Sequence, residues 1–395
     1  MAAISAAAMF LVGGYEFVRS ASTSLFIEAY GAKNLPYAMT AIPPVLALLV
    51  YLYGRLLSKF GAMRALAVTT LFSSLVFIAC YFALAAGHKS AAAALYVFRQ
   101  AYIVLIIEQY WSLINSTLKP EQAKLYNGPI IGGASIGPIL GGLILNRCAE
   151  SLGTETFILL AAAVLVPAAI LSYAAYRLTG EPQPQGREKD GSEGHVNLGL
   201  FARSRTLVLI AAIVALTQIV STCLSLRFYD LLETSIAVKD ARTAYLGGFW
   251  STANGFSSVL QFILTPLILS RTSLRWVHLG MPVIHIAAAA ALFAHPALPV
   301  AATSLILFKG FDYSLFRAAK EILYIPLSFD ARFRAKQVID AFTYRFSKGA
   351  TGAVVAVATA ALGKIPGPVY PAAAGLAALV WAGLALPLTR EAPES

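Results

Sequence analysis

Charged residues are scarce in this chain. Asp, Glu, Lys and Arg together supply 12% of its 395 residues, whereas hydrophobic residues supply 58% and the mean hydropathy is +0.71. Soluble globular domains carry roughly 25% charged residues, so this composition excludes an ordinary soluble domain. The sequence therefore predicts an integral membrane protein.

Cysteine and histidine are rare as well, which narrows the chemistry available. Cys80, Cys148 and Cys223 lie in or at the ends of hydrophobic segments, without the spacing of a disulfide framework or a metal site. Of the five histidines only His278 and His285 share a helix face, and no G-x4-G-K-[ST] phosphate loop occurs. We therefore predict no metal, no cofactor and no enzymatic activity. A basic soluble module interleaved with aromatic residues is also missing, which excludes nucleic acid as a partner.

Long hydrophobic runs fill most of the chain. Each is about 20 residues long, the length that a helix needs to cross roughly 30 Å of hydrocarbon. The predicted segments are 4–28, 36–57, 63–87, 91–116, 128–147, 154–177, 205–232, 243–270, 275–294, 297–320, 337–362 and 367–389. Glu16 and Arg19 lie in the body of the first segment, which argues against a cleavable signal peptide.

A polar stretch at 180–198 separates the first six segments from the last six. Its Pro, Gly and charged residues supply too little apolar surface to fold by burial. We predict an all-α polytopic membrane protein with twelve transmembrane helices in two six-helix bundles, an arrangement that resembles the major facilitator superfamily. The predicted parts are an N-terminal bundle at 1–178, a cytoplasmic linker at 179–204 and a C-terminal bundle at 205–395.

The distribution of Lys and Arg predicts the orientation. With the N-terminus in the cytoplasm, the cytoplasmic loops and tail hold fourteen basic residues: Arg55, Lys59, Arg64, Lys119, Lys124, Arg187, Lys189, Arg203, Arg271, Arg275, Arg332, Arg334, Lys336 and Arg390. The opposite loops hold six: Lys33, Lys89, Arg147, Lys239, Arg242 and Lys364. Because cytoplasmic loops are enriched in Lys and Arg, both termini are predicted to be cytoplasmic.

The segment from Lys309 to Gly349 carries fixed charges through stretches that otherwise resemble membrane helices. Lys309, Asp312, Phe316 and Lys320 are spaced to share one face of a regular helix, and Asp340, Tyr344, Arg345 and Lys348 recur at helical spacing after Pro326. A charge at the middle of the bilayer costs at least about 2.5–3.5 kcal/mol, so such groups face protein or water. They either line a solute path or gate, or form an interhelical ion-pair lock.

Embedded cations outnumber embedded anions over the whole chain. The basic residues are Arg19, Arg99, Arg227, Lys309, Arg317, Lys320, Arg345 and Lys348, and the acidic residues are Glu16, Glu108, Asp230, Asp312, Glu321 and Asp340. Glu16 with Arg19, and Lys309 with Asp312, stand three residues apart and could neutralise each other. The remaining cations favour an anionic solute. Glu16 and Glu108 are candidates for proton coupling, with structural pairing as the alternative for each.

A glycine-rich motif lies in the fifth predicted helix. Gly133-Ala-Ser-Ile-Gly137-Pro138-Ile-Leu-Gly141-Gly142 resembles the G-x3-G-P-x2-G-G motif of many facilitator-type antiporters. Small residues four apart let two helices approach closely, and the proline frees a carbonyl and permits bending. Gly137 and Pro138 are therefore a candidate gating hinge, with ordinary helix packing as the alternative.

The stretch from Lys309 to Gly349 resembles a known family, the ATP/ADP exchangers of plastids and intracellular bacterial parasites. The matching pieces are Tyr313-Ser-Leu-Phe316, Lys320-Glu321, Tyr324-Ile-Pro-Leu327, Ala335-Lys336, Ile339-Asp340 and Lys348-Gly349. Weaker matches cover Phe17 to Leu25 and Tyr110 to Lys124. The resemblance implies a facilitator-type fold and, in well-studied members, counter-exchange of nucleotides.

Several positions depart from that family. Ser22 and Thr23 stand where its first helix has a Lys-Asp pair, Ser221 stands where its seventh helix has a glutamate, and Arg99 stands near a fourth-helix glutamate. Of the charged positions that the resemblance associates with nucleotide passage, Lys348 alone is clearly retained. Because a lost cation removes a charge-assisted contact of roughly 1.5–3 kcal/mol, the sequence partly argues against ATP/ADP exchange.

The leading hypothesis is a secondary active transporter of an organic anion, such as a phosphorylated or nucleotide-like solute, working by exchange or by coupling to a proton or another ion. The alternatives are a proton-coupled exporter of drugs or siderophores, and a non-transporting receptor or enzyme. Predicted substrate-binding residues are Arg19, Arg99, Lys309, Asp312, Tyr313, Tyr344, Arg345 and Lys348, and predicted coupling or gating residues are Glu16, Glu108, Asp340, Gly137 and Pro138. We predict a monomeric multi-pass protein of a bacterial inner membrane.

Overall fold

A computed structural model describes residues 2–117, 120–179, 204–325, 339 and 343–390, and no strand occurs within them. The α-helices are α1 (Ala2–Tyr30), α2 (Leu35–Ala85), α3 (Ser90–Thr117), α4 (Pro120–Leu152), α5 (Thr156–Thr179), α6 (Arg205–Ser235), α7 (Lys239–Val259), α8 (Thr265–Arg271), α9 (Leu274–Ala294), α10 (Leu298–Phe311), α11 (Arg317–Tyr324), α12 (Tyr344–Leu362) and α13 (Val369–Arg390). A short 3-10 turn (Ala32–Asn34) precedes α2. Two π-helical turns, Leu260–Leu264 and Asp312–Phe316, join α7 to α8 and α10 to α11.

The described helices account for the twelve predicted hydrophobic segments. α2 contains the second and third of them, divided at Gly61, whose φ of 79° is a left-handed conformation that glycine adopts without steric cost. The pairs α7–α8 and α10–α11 each continue through a π turn and correspond to one predicted segment apiece. The eleventh segment is described at Ile339 and from Thr343 onward, and α12 begins at Tyr344.

Seven helices in the described ranges are long and apolar enough to cross a membrane by length and composition alone. They are Ala32–Ala85, Ser90–Trp111, Thr156–Leu178, Arg205–Ser235, Lys239–Arg271, Leu274–Ala294 and Val369–Arg390. Large apolar side chains remain exposed on many helices, such as Leu75 at 63%, Val354 at 69% and Val357 at 70%. Exposure of this kind is unfavourable in water and is expected where lipid covers the surface. The chain is an all-α, multi-pass membrane protein.

The chain forms two compact units. The first contains Met1–Gly31, Ala41–Gly186 and Ile236–Gly255, and its core includes the ring pairs Phe17–Phe157 and Phe77–Tyr102. The second contains Ala32–Thr40, Arg187–Ser235 and Phe256–Ser395. Its core includes Trp381, which is 1% exposed and contacts the rings of Phe316 and His285. The predicted bundle boundaries at 178 and 205 lie beside residues 180–203, which are outside the described ranges, and they stay a prediction.

Candidate functional site

In the first unit, the carboxylate of Glu16 and the guanidinium of Arg19 form an ion pair on α1. Arg19 Nη1 donates to Glu16 Oε1 at 3.0 Å, as their three-residue spacing predicts. Asn254 of α7 donates its side-chain amide to the same oxygen at 3.2 Å. Glu16 is 2% exposed, and its other oxygen, Oε2, is buried without a hydrogen-bond partner. The carboxylate is therefore satisfied on one side alone.

Aromatic rings hold the guanidinium of Arg19 in place. Its central carbon lies 3.1 Å from the ring centroid of Trp250 on α7 and 5.6 Å from that of Tyr15 on α1. Such contacts attract a cation to the negative face of the ring. The side chain of Arg19 is 14% exposed, whereas that of Glu16 is 2% exposed, so the guanidinium is the more accessible member of the pair.

Arg99 of α3 is a buried cation in the same unit. It is 2% exposed, donates from Nη2 to the hydroxyl of Thr23 at 3.0 Å, and lies 4.6 Å from the ring centroid of Tyr96. Its Nε atom is buried without a partner. Among the described residues no carboxylate lies within ion-pair distance of Arg99. Thr23 and Arg99, which the sequence resemblance sets against charged positions of the ATP/ADP exchangers, contact each other.

The glycine motif of α4 brings backbones into contact. A Cβ atom added at Gly141 would lie 2.6 Å from the carbonyl oxygen of Gly13 on α1, and one at Gly137 would collide with the backbone of Met9. A Cβ at Gly142 would lie 2.6 Å from the carbonyl oxygen of Gly247 on α7. The close helix approach predicted from the motif is confirmed. Pro138 is buried next to this contact, and its role as a hinge stays a prediction.

In the second unit, Lys309 lies in the last turn of α10 and Asp312 begins the π turn that follows. The Lys309 ammonium donates to the Ser221 hydroxyl on α6 at 2.8 Å, and Asp312 accepts a hydrogen bond of 2.9 Å from the Tyr344 hydroxyl on α12. The two charges are 8% and 6% exposed. Lys309 and Asp312 form no direct salt bridge among the described residues, although the Lys309 charge acts on the Asp312 carboxyl group, and each side chain bonds to a polar group on another helix. Ser221, a further departure from the exchanger family, supplies one of those groups.

The π turn changes which residues share a helix face. Lys309, Asp312, Phe316 and Lys320 are all buried, as the charge pattern predicts. Phe316, however, contacts the rings of His278 on α9 and Trp381 on α13, whereas Lys309 contacts α6. A π turn holds one more residue than an α turn and rotates the side chains that follow it. The shared face expected from Lys309 to Lys320 stays a prediction, and the turn places Phe316 against α9 and α13.

The remaining candidates lie in less buried places. Tyr313 is 38% exposed, and its ring centroid lies 5.4 Å from the Lys309 ammonium. On α12, Arg345 and Lys348 are half-buried, and the Arg345 guanidinium lies 5.9 Å from the Tyr344 ring centroid. Glu108 on α3 is exposed, unlike Glu16. Asp340 lies outside the described residues.

Sequence reasoning missed two partners of the buried charges. Asn254 and Tyr96 were not among the candidates, although they contact Glu16 and Arg99. A polar Asn one helical turn after Trp250 in an otherwise apolar stretch is a signal that points to Asn254. Tyr96 carries no comparable signal, because tyrosine is also common at membrane interfaces.

One segment of the chain matches the model of a known family. The model of the TLC ATP/ADP transporter family matches residues 251–366, less than a third of the chain. This stretch includes Lys309, Asp312, Tyr344, Arg345 and Lys348. It agrees with the resemblance drawn from the sequence between Lys309 and Gly349. No curated protein matches the chain.

Solved structures share the whole fold. A bacterial homologue of the iron transporter ferroportin matches with a TM-score of 0.67 and 14% identity, over 97% of this chain and 98% of that chain. The nucleoside transporter NupG matches with a TM-score of 0.67 and 13% identity, over 98% and 97%. The xylose transporter XylE from E. coli matches with a TM-score of 0.65 and 13% identity, over 100% and 96%. The fold is of the major facilitator type, and together with the family match it supports a membrane transporter rather than an enzyme.

Proposed function

We propose that the chain is a secondary active transporter that moves an organic anion across a membrane by alternating access, either in exchange for another solute or coupled to an ion. The observation that carries this proposal is the TLC ATP/ADP transporter match to residues 251–366. The matched stretch contains the buried Lys309 and Asp312 and the half-buried Lys348. Charges buried in a membrane helix are rare and mark solute or ion pathways by default.

The buried cations support an anionic solute. Arg99 and Lys309 are 2% and 8% exposed, and within the described residues each is held by a hydroxyl rather than by a carboxylate. Burying a charge is costly unless an opposite charge and hydrogen bonds compensate for it. A phosphate or carboxylate of the solute would supply that charge through charge-assisted hydrogen bonds.

The departures from the exchanger family bear on the solute. Ser22 and Ser221 occupy positions where nucleotide exchangers carry charge, and Ser221 bonds Lys309. A different set of polar groups in a binding site favours a different solute, because unpaired polar groups discriminate strongly between related molecules. We therefore propose an organic anion as the substrate class, with nucleotides as one member to be tested. The proposed setting is a bacterial inner membrane with both termini cytoplasmic and a monomeric protein.

Uptake into reconstituted vesicles tests the proposal. Purified protein is placed in liposomes and offered radiolabelled ADP, inorganic phosphate, glucose 6-phosphate and citrate, with the same solute, a proton gradient or a sodium gradient as the driving force. We expect saturable uptake of at least one of these anions. Absence of saturable uptake for the whole panel under all three conditions would overturn the proposal.

Substitution of Lys348 tests whether this residue takes part in anion uptake. It lies one helical turn after Tyr344 on α12, and Tyr344 bonds Asp312. We expect Lys348→Ala to abolish uptake while the protein still inserts and melts normally, and Lys348→Arg to restore it in part, because a guanidinium presents its donors in a different geometry. Lys89→Ala, at an exposed position outside the helices, is the control and should transport normally. Normal uptake by a well-folded Lys348→Ala protein would remove Lys348 from the solute path.

A proton-coupled exporter of drugs or siderophores is the second candidate. The motif around Gly137 and Pro138 favours it, because the motif resembles that of facilitator-type antiporters and its glycines pack α4 against α1 and α7. Drug-resistance and siderophore-secretion assays in cells that express the protein distinguish the two. Resistance or secretion without anion uptake in vesicles would favour the exporter.

A further inference from the structure

We propose that Glu16 couples movement of the anion to a proton, because Glu16 and the anion compete for the guanidinium of Arg19. This inference rests on the proposed transport of an anion and adds the coupling ion and the residue that carries it. In the structure, the Glu16 carboxylate forms an ion pair with the Arg19 guanidinium. When the anion takes Arg19, Glu16 takes a proton.

The contacts of the carboxylate point to this role. Glu16 Oε1 accepts both of its hydrogen bonds, at 3.0 Å from Arg19 and at 3.2 Å from Asn254, whereas Oε2 is buried and accepts none. A carboxyl group that binds a proton needs one oxygen free of N–H donors, and Oε2 is such an atom. A purely structural ion pair is expected to bond both of its oxygens.

The position of Arg19 allows the competition. Its side chain is 14% exposed, and the rings of Trp250 and Tyr15 attract the guanidinium through cation–π contacts. An anionic solute can therefore reach the guanidinium, which binds phosphates and carboxylates strongly. Once Arg19 turns to the solute, Glu16 keeps the amide of Asn254 as its donor.

The proton balance follows from burial. A carboxylate that is 2% exposed and has lost its cation would remain as a buried unpaired charge, which is more costly than the neutral acid. A proton from the aqueous side therefore adds to Oε2 as the anion binds. When the anion leaves, Arg19 returns to Glu16 and the proton is released. Each cycle moves one proton with each anion.

Other groups around Glu16 do not take over this role. On α1 the neighbours are Tyr15 and Arg19, and on α7 they are Trp250 and Asn254. On α3 the ring of Tyr102 lies 6.4 Å from that of Tyr15, and Arg99 contacts α1 by donating to Thr23. The parts of α4 and α5 next to Gly13 and Gly14 present Gly137, Ala161 and Val164, which do not titrate. Among the groups in these contacts, Glu16 is the acidic one.

Counting protons on binding tests the inference directly. Binding of ADP, inorganic phosphate, glucose 6-phosphate and citrate to the full-length protein in lipid nanodiscs is measured by calorimetry in two buffers that differ in heat of ionisation. For any anion that binds, we expect the wild type to take up close to one proton and its affinity to rise as pH falls, by at most about tenfold per pH unit for one linked proton. Glu16→Gln should take up none, bind more tightly because its competitor is gone, and lose the pH dependence.

Transport in vesicles supplies the second readout. Glu16→Gln should still exchange anion for anion, but a proton gradient should no longer drive accumulation. Glu150→Gln, an exposed carboxylate near the end of α4, is the matched control and should behave as the wild type in both assays. Proton uptake or gradient-driven accumulation by Glu16→Gln at wild-type levels would overturn the inference while leaving anion transport intact. If no anion binds or moves with the wild type, the proposed function itself fails.

Discussion

Arg99 is a charge that the protein buries at a cost. Its contacts in the described ranges include the Thr23 hydroxyl and the side chain of Tyr96, and its Nε atom has no partner. A hydroxyl and a ring compensate for much less than the lost hydration of a guanidinium. Proteins keep such groups where function needs them, and stability is reduced in exchange.

Replacing Arg99 should therefore abolish transport without lowering the stability of the fold. In Arg99→Met an apolar side chain replaces the charge, and replacing even whole buried ion pairs by apolar residues is often neutral or stabilising by about 1–4 kcal/mol. We expect a melting temperature in detergent at or above that of the wild type, together with loss of anion uptake. Arg99→Lys keeps the charge and should keep part of the uptake. A marked fall in the melting temperature of Arg99→Met would instead assign Arg99 to the folded structure.

At this scale the sequence predicts contacts within one helix far better than contacts between helices. The three-residue spacing of Glu16 and Arg19 was enough to predict their ion pair, because an α-helix brings such residues together. Spacing says nothing about Asn254, which lies 238 residues from Glu16 and reaches it through packing of α7 on α1. Spacing likewise does not show that Ser221 and Tyr344, on other helices, bond to Lys309 and Asp312, whose charges still lie close enough to interact.

Helix α4 shows how small residues determine packing at the scale of an element. Gly141 faces the backbone of Gly13 on α1, whereas Gly132, on the same helix, has no atom within 4 Å of the position of an added Cβ. Two glycines of one helix therefore differ in their surroundings. The first permits close approach, and the second has open space beside it.

This difference predicts opposite effects of the same substitution. Gly141→Ala places a methyl group 2.6 Å from the Gly13 carbonyl oxygen, so α1 must move away, and overpacking of this kind costs typically about 1–3 kcal/mol. Gly132→Ala meets nothing and should be neutral or stabilising by up to about 1 kcal/mol, because alanine favours the helix. Melting temperatures in detergent measure both. Equal melting temperatures for the two variants would contradict the α1–α4 contact as the reason for the motif.

The π turns mark the limit of sequence prediction at this scale. Hydrophobic segments of the right length predicted the helices, including the break at Gly61, which separates the second segment from the third. The turn at Asp312–Phe316 keeps the same residues buried but rotates the helix, and no residue type in it requires this conformation. A pattern based on 3.6 residues per turn cannot show such a rotation. The burial of Phe316 is confirmed, whereas the face that it shares with Lys309 stays a prediction.

Over the whole molecule, the exposed apolar surface and the uneven distribution of Lys and Arg describe a protein oriented in a bilayer. The apolar faces with Leu75 and Val357 need lipid around them. The basic residues predict which ends of the helices face the cytoplasm. In this prediction Lys89, before α3, lies on the side with few basic residues, and Arg271, at the end of α8, lies on the side with many.

Labelling from one side of the membrane tests this orientation. Cys80, Cys148 and Cys223 are first replaced by alanine, and a single cysteine is then introduced as Lys89→Cys or Arg271→Cys, both at exposed positions. Because positively charged loops stay in the cytoplasm, we expect a membrane-impermeant maleimide to label Lys89→Cys in intact spheroplasts, and Arg271→Cys only after permeabilisation. The cysteine-free protein is the control and should not react. Labelling of Arg271→Cys in intact cells would reverse the predicted topology.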